Sequence, residues 1–299
     1  MLYELCYSRN IGCQRIGKLV VPRDPLDQQG LEQLFQQGTQ NGVEDLHFLS
    51  RRELESWAPA LAVKAAFHSA SSGIVDSHGV MKCLEAEAQS RGAVVSYGSE
   101  IVGIQRRTRD YLVEVREGDG ELSQIAAQIV INSAGLHADR IASMAGIDIE
   151  KAGYVIQYVK GEYARVRDLR HIPPGKLVYP TVNQSGRDVH LVYDLQGRAK
   201  LGTLNTCIDK IVDYRMLQSD PHPFYQEISS CMPLLQPDDL SLDTCGIAPK
   251  FGGLGGPPRD YLIRDEKDRG LPGLINLIGI GSPGLTSCLA IAQQVRQLL

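Results

Sequence analysis

This chain of 299 residues has no basic excess, no paired cysteines and no long uninterrupted apolar run. Its 31 lysines and arginines are outnumbered by 35 aspartates and glutamates, for a formal net charge of −4. Such a balance leaves no electrostatic footprint for nucleic acid. The seven cysteines, at 6, 13, 83, 207, 231, 245 and 288, are odd in number and contain no Cys-x-x-Cys pair. That pattern excludes a disulfide framework and predicts free thiols in a reducing compartment, each a small buried apolar residue. Glu4 and Arg9 interrupt the opening decapeptide, so it does not read as a signal peptide. The most apolar stretch, 271–292, is broken by Pro272, Pro283 and several glycines, which argues against a transmembrane helix. There is no internal repeat.

What is present is an ordinary globular composition, 43% hydrophobic and 22% charged, in a chain long enough for one large domain or two moderate ones. Leu2, Leu5 and Cys6 lie at helical spacing. Residues 17–22 read as a strand stopped by Pro22. Leu26, Leu31, Leu34 and Phe35 mark an amphipathic helix over 25–42 that stops at Gly42. Ser50 and Glu53 form a capping-box pattern ahead of a short helix ended by Pro59. Asp76 or Ser77 caps the next helix, with Val80, Met81, Leu84 and Ala88 on its apolar face. Gly92 closes it. Strands are then expected at 93–97, 100–104, 111–115 and 128–132, the last running into the small-residue turn 133–139 and a helix.

From 154 the texture becomes antiparallel. β-rich runs fall at 154–158, 161–166, 176–182 and 189–194, with a hairpin connection at 183–186. A helix over 213–232 would carry Phe224, Ile228 and Met232 on one side. A glycine- and proline-rich loop follows at 252–258, then strands at 260–263 and 274–280. The layout is α/β, antiparallel β, then α/β again. It predicts a discontinuous dinucleotide-binding domain interrupted by a substrate domain. The segments are 1–65 (substrate domain), 66–150 (cofactor domain), 151–250 (antiparallel substrate domain) and 251–299 (cofactor domain).

The last of these holds the most informative stretch. Residues 274–280 form a short apolar strand, Gly279, Gly281, Pro283 and Gly284 break it, and Leu285, Leu289 and Ala292 continue at helical spacing. Strand, glycine turn and helix leave backbone N–H groups at a helix N-terminus, where an anion or an electron-rich carbonyl is favoured. A tight turn with no ligand fits the same residues.

Five motifs occur in order: Ser-Gly-Ile-Val-Asp-Ser-His (72–78), Val-Ile-Asn-Ser-Ala-Gly-Leu-His-Ala-Asp (130–139), Lys-Gly-Glu-Tyr (160–163), Leu-Val-Tyr-Pro (177–180) and Gly-Ile-Gly-Ser-Pro-Gly-Leu-Thr-Ser (279–287). Together the chain resembles the flavin-dependent D-amino-acid-oxidase-like superfamily, and within it the L-2-hydroxyglutarate dehydrogenases. The resemblance implies a Rossmann-like FAD domain, an antiparallel substrate sheet and the flavin between them. It implies that Ser133, Ala134 and Gly135 pass the pyrophosphate and ribose, where only small side chains allow close approach. Ile101 would meet the adenine. Gly279, Gly281, Gly284, Leu285 and Thr286 would face the ribityl chain and the pyrimidine edge of the flavin ring. His190 would be the base for the substrate hydroxyl, with Tyr179, Lys160 and Lys250 in the same active-site segments. A flavin amine oxidase of the same superfamily, or a non-catalytic remnant, is the alternative.

Three departures from the family pattern stand out. No strand with a Gly-x-Gly-x-x-Gly turn opens this chain, so an N-terminally truncated fold is expected. Ala248 stands where the family usually has an arginine for a substrate carboxylate. Gly281 replaces a common glutamate, and Leu-Gly-Thr-Leu at 201–204 replaces Phe-Gly-Pro-Asp. The resemblance further implies a small hydroxy-acid substrate, oxygen or a quinone as electron acceptor, and a mitochondrial location if the chain is eukaryotic or a cytoplasmic one otherwise.

Overall fold

A computed structural model describes residues 1–24, 27–181, 189–209, 214–251 and 259–299. Two sheets carry the architecture. The larger has eight strands in the spatial order Leu240–Lys250, Gln157–Val166, Ala199–Ile208, His190–Tyr193, Leu177–Pro180, Lys18–Val21, Phe67–Ser69 and Leu46–Phe48. All its pairings are antiparallel except that of Lys18–Val21 with Leu177–Pro180. The alternation read from the sequence sorts its two faces. Leu19, Val21, Val178, Leu191 and Leu201 point to one side, where the helices Arg51–Trp57 and His222–Ile228 cover them with Leu54, Phe224 and Ile228. Val20 points to the other side and packs with Phe67 under Leu31 of the helix Gln28–Gln40. Lys18, Tyr179 and His190 share that second face.

The smaller sheet has the order Leu262–Glu266, Leu271–Ile278, Val130–Asn132, the last pair being parallel. Its interior holds a polar chain. Asn132 donates to the Asn276 side chain at 2.8 Å and to the Ala138 carbonyl at 2.7 Å. Asn276 donates to Glu266 at 2.9 Å, and Glu266 also accepts from Tyr154 at 2.7 Å. Arg269 lies 3.1 Å from the second carboxylate oxygen of this fully buried glutamate. Buried amides and a buried charge persist only when partnered, so these bonds fix the register of the two parallel strands. A three-stranded antiparallel sheet, Glu100–Arg106, Tyr111–Arg116 and Leu122–Ala127, stands beside it.

Several expectations need correction. Residues 93–97 form no strand: among the described residues this run has no ladder partner, and Val94 is 92% and Tyr97 76% exposed. β-propensity reflects fit to a half-buried pleated surface, and without a neighbouring edge the apolar run stays irregular. In the preceding helix, Ser77–Ser90, only Val80 is buried, and Met81 is exposed. The expected 213–232 helix is confined to His222–Ile228, starting after Pro221 with Pro223 in its first turn. Phe224, Ile228 and Met232 are nevertheless all fully buried. Leu240–Lys250 forms one long strand that the sequence pattern did not lead us to expect. Cys6 and Cys231 are buried, but Cys207 is exposed and the others are partly so. The connections at 183–186 and 252–258 lie outside the described residues.

Candidate functional site

Two turns open side by side at the carboxyl ends of the parallel strands Val130–Asn132 and Leu271–Ile278. In open α/β sheets ligands bind at this end. Ser133, Ala134 and Gly135 are all exposed, and the Ala134 N–H is turned back onto the Asn132 side chain. Gly135 has φ +56° with open space where a Cβ would stand, so its conformation rather than crowding favours glycine. Ile101 begins the neighbouring strand, half-buried against the same core as the helix Ala138–Met144.

The second turn is built for close approach. Gly279 has φ +74°, and a Cβ there would stand 2.6 Å from the Phe251 ring. A Cβ on Gly281 would stand 3.1 Å from the Pro249 carbonyl, and one on Gly284 would stand 2.6 Å from Ile280. Gly279, Gly281 and Gly284 thus take the roles of turn, close approach and helix packing in a Gly-x-Gly-x-x-Gly spacing. Tyr261 donates its hydroxyl to the Gly281 carbonyl at 3.0 Å and steadies the turn. The helix Gly284–Leu298 that follows has no side-chain cap. Its N-terminal dipole, with Leu285 and Thr286 exposed in the first turn, is directed at whatever occupies the turn. A cleft of about 610 Å³ starts at the turns, with Ser133, Gly135 and Gly284, and runs along the helix Gly284–Leu298 past Cys288, Ile291 and Val295 to Leu299.

The large sheet contributes the second half of the site. Tyr179 and His190, on adjacent strands, stack with ring centres 4.2 Å apart and planes 21° from parallel. Burial, and after it the neighbouring Tyr163, pushes the Tyr179 phenol up to about 12, so it remains a neutral donor. Tyr163 lies flat against Gly202, the register partner of His190; a Cβ at 202 would stand 2.3 Å from its ring. The Lys18 ammonium lies 5.0 Å from the Tyr179 ring centre, a cation–π arrangement. Burial lowers its pKa.

Lys250 does not join this cluster. It is exposed at the end of the opposite edge strand, three strands from His190, between Pro249 and Phe251 that pack on the glycine turn. It is therefore placed toward the cofactor turn rather than the Tyr179–His190 pair. Lys160 is not solvent-facing: it is 1% exposed and donates to the Arg215 carbonyl at 2.9 Å, while Glu162 accepts from the backbone of Leu217 and Gln218. These two residues anchor a chain segment. Lys18 escaped the sequence reading, whereas Tyr163 and Gly202 lie in runs it quoted without a role of their own. Only the shared face of Lys18–Val21 and Leu177–Pro180, a pairing of segments about 160 residues apart, brings Lys18 to Tyr179.

Comparison with known proteins decides the family. The family of FAD dependent oxidoreductases matches residues 1–298. The chain belongs to this family. It is 32% identical to the mitochondrial L-2-hydroxyglutarate dehydrogenase of Arabidopsis thaliana, covering 99% of this chain and 68% of that protein. It is 26% identical to a glycerol 3-phosphate dehydrogenase of Caloramator mitchellensis, covering 100% of this chain and 59% of the relative. Among solved structures, the L-alpha-glycerophosphate oxidase of Mycoplasma pneumoniae with FAD bound superposes with a TM-score of 0.81 at 23% identity, covering 97% of this chain and 74% of the other. The protein is an FAD-dependent oxidoreductase of mixed α/β fold. Among the described residues no helix is long and apolar enough to cross a membrane.

The residues present fit FAD. Small exposed residues at 133–135 leave one turn open to a large ligand, and glycines at 279, 281 and 284, where a Cβ would meet Phe251, Pro249 and Ile280, let the second turn fold tightly beside it.

Proposed function

We propose that this oxidoreductase acts on L-2-hydroxy acids, with L-2-hydroxyglutarate as its substrate and 2-oxoglutarate as its product. The observation that carries the reading is the Tyr179–His190 pair, a stacked imidazole and neutral phenol on the open face of the substrate sheet. The similarity to the Arabidopsis enzyme supports the choice of substrate.

FAD supplies a two-electron acceptor for the hydrogen on C2. His190 takes the hydroxyl proton as the carbonyl forms, which lowers the barrier only if the imidazole is held in place. Stacking on Tyr179 provides that hold. Tyr179, kept protonated by burial, donates to the substrate oxygen or carboxylate. The uncapped N-terminus of Gly284–Leu298 would favour negative charge on a flavin held at the glycine turn. Ser133, Ala134 and Gly135 would hold the diphosphate end of FAD, Ile101 would meet its adenine, and Lys250 would lie on the side of the glycine turn. We assign segments 66–150 and 251–299 to the cofactor domain and the remainder to the substrate domain. Oxygen or a quinone would reoxidise the flavin. For a eukaryotic chain we propose the compartment named for the plant relative, the mitochondrion.

The bacterial relative favours a second substrate, glycerol 3-phosphate, and Ala248 removes an arginine suited to a carboxylate. A dye-reduction panel of L-2-hydroxyglutarate, glycerol 3-phosphate and glycine separates the readings. The account expects L-2-hydroxyglutarate to give the highest kcat/KM; faster turnover of either competitor would overturn it.

A further inference from the structure

The substrate face contains a cation that the reaction, as derived so far, does not use. Lys18 opens the strand Lys18–Val21, which runs parallel to Leu177–Pro180 with Lys18 opposite Leu177 and Val20 opposite Tyr179. Lys18, Val20 and Tyr179 therefore lie on one face. The strand carrying Tyr179 sits between those carrying Lys18 and His190. Its ring is consequently flanked by an ammonium at 5.0 Å and an imidazole centred at 4.2 Å.

Lys18 is partly buried, and among the described residues no carboxylate pairs with it. Desolvation alone lowers its pKa, with no neighbouring charge contributing. A lysine drawn into a sheet face without a counter-ion is poorly solvated, and an arriving anion relieves it. The anion must also reach His190. An extended five-carbon diacid places its carboxyl carbons roughly 5 Å apart, from bonds of ~1.5 Å. That length suits a molecule whose hydroxyl lies at His190 and whose remote end lies beyond the Tyr179 ring.

We propose that Lys18 binds the remote carboxylate of a dicarboxylic 2-hydroxy acid and so sets the preference for diacids over monoacids. The inference rests on the hydroxy-acid reading of the Tyr179–His190 site. It also accounts for the tolerance of alanine at 248: a carboxylate contact is supplied from the other side of the sheet. Lys18 forms no part of proton or hydride transfer; it holds the substrate by its far end.

The test combines binding and turnover on the FAD-loaded chain. Calorimetric titration with glutarate, a diacid with no hydroxyl to oxidise, is compared with butyrate for the wild type, Lys18→Met and Lys18→Arg. A charge-assisted contact predicts a loss of roughly 10- to 150-fold in glutarate affinity for Lys18→Met, with butyrate affinity changed by less than about 3-fold. Lys18→Arg should restore part of the glutarate affinity. In turnover, Lys18→Met should raise KM for L-2-hydroxyglutarate by a similar factor, and by more than it raises KM for L-2-hydroxybutyrate. Methionine removes a buried charge at nearly constant volume, so the melting temperature should not fall. Equal glutarate affinity in wild type and Lys18→Met would overturn the assignment, as would a wild type that binds no glutarate. Lysine-dependent glutarate binding without oxidation of L-2-hydroxyglutarate would instead retain the diacid site and discard the hydroxy-acid reading.

Discussion

At the scale of the residue, the chemistry depends on how a few side chains are confined. In the proposed reaction His190 is the base, and its ring stacks on that of Tyr179. Replacing His190 by alanine should lower kcat by about 10²- to 10⁴-fold, the range of a general base, with FAD content unchanged. Flavin absorbance of the purified variant and steady-state rates check both parts. Tyr179 makes a separate claim about pH. Its folded-state pKa is raised, to about 12, above the ordinary value of 10.0. The resulting stabilisation is fully present below pH 10 and is lost as pH rises through 12. Over that window the folded state should lose about 3 kcal/mol relative to the unfolded chain, from 1.36 kcal/mol per pKa unit. Tyr179→Phe should remove this part of the alkaline slope in urea melts at stepped pH. A variant as alkali-sensitive as the wild type would contradict the buried phenol. Gly202 makes a steric claim. Gly202→Ala places a Cβ 2.3 Å from the Tyr163 ring, so overpacking of about 1–3 kcal/mol is expected in denaturant titrations.

At the scale of the element, the two parallel strands matter because they aim two turns at one place. The polar chain Asn132–Asn276–Glu266 fixes their register. Asn276→Leu would leave Asn132 and Glu266 each short of a partner, at a cost of about 1–3 kcal/mol for each unsatisfied group. Because both turns shift when the register loosens, FAD retention after gel filtration should fall together with stability. Local signals were readable in the sequence. Ser50 caps the helix Arg51–Trp57 through Glu53, and Asp76 caps Ser77–Ser90 by accepting from Gly79, as their positions suggested. The strands at 17–22, 100–104 and 111–115 and the turn-to-helix passage at 133–139 also match their apolar patterns. Long-range placement was not readable. Residues 93–97 carry strand-forming side chains, but a strand requires a partner edge. Nothing local to residues 17–22 marks Lys18, because its neighbour Tyr179 lies across the sheet. Lys160 departs from the usual exposure of lysine because its ammonium donates a hydrogen bond to a backbone carbonyl distant in sequence.

At the scale of the whole molecule, the proposed reaction assigns the cofactor to the small sheet and the substrate to the large one. The small sheet presents backbone and small residues, which suits a large cofactor that must lie close. The large sheet presents a histidine, two tyrosines and a lysine on one face, which suits a small polar acid. The five ordered motifs made the family legible, and the family model matches residues 1–298. The substrate half was less legible, because its residues come from strands distant in sequence. Ligand linkage gives a check at this scale. FAD at about one hundred times its Kd should add about 2.7 kcal/mol to the folded state and raise the melting temperature.

The most direct measurement is anaerobic mixing of the FAD-loaded chain with L-2-hydroxyglutarate while the oxidised-flavin absorption is followed. The account predicts bleaching in the wild type at a rate that saturates with substrate, and bleaching slowed by about 10²-fold or more in His190→Ala. A wild-type flavin that stays oxidised, or a His190→Ala variant that bleaches as fast as the wild type, would contradict it.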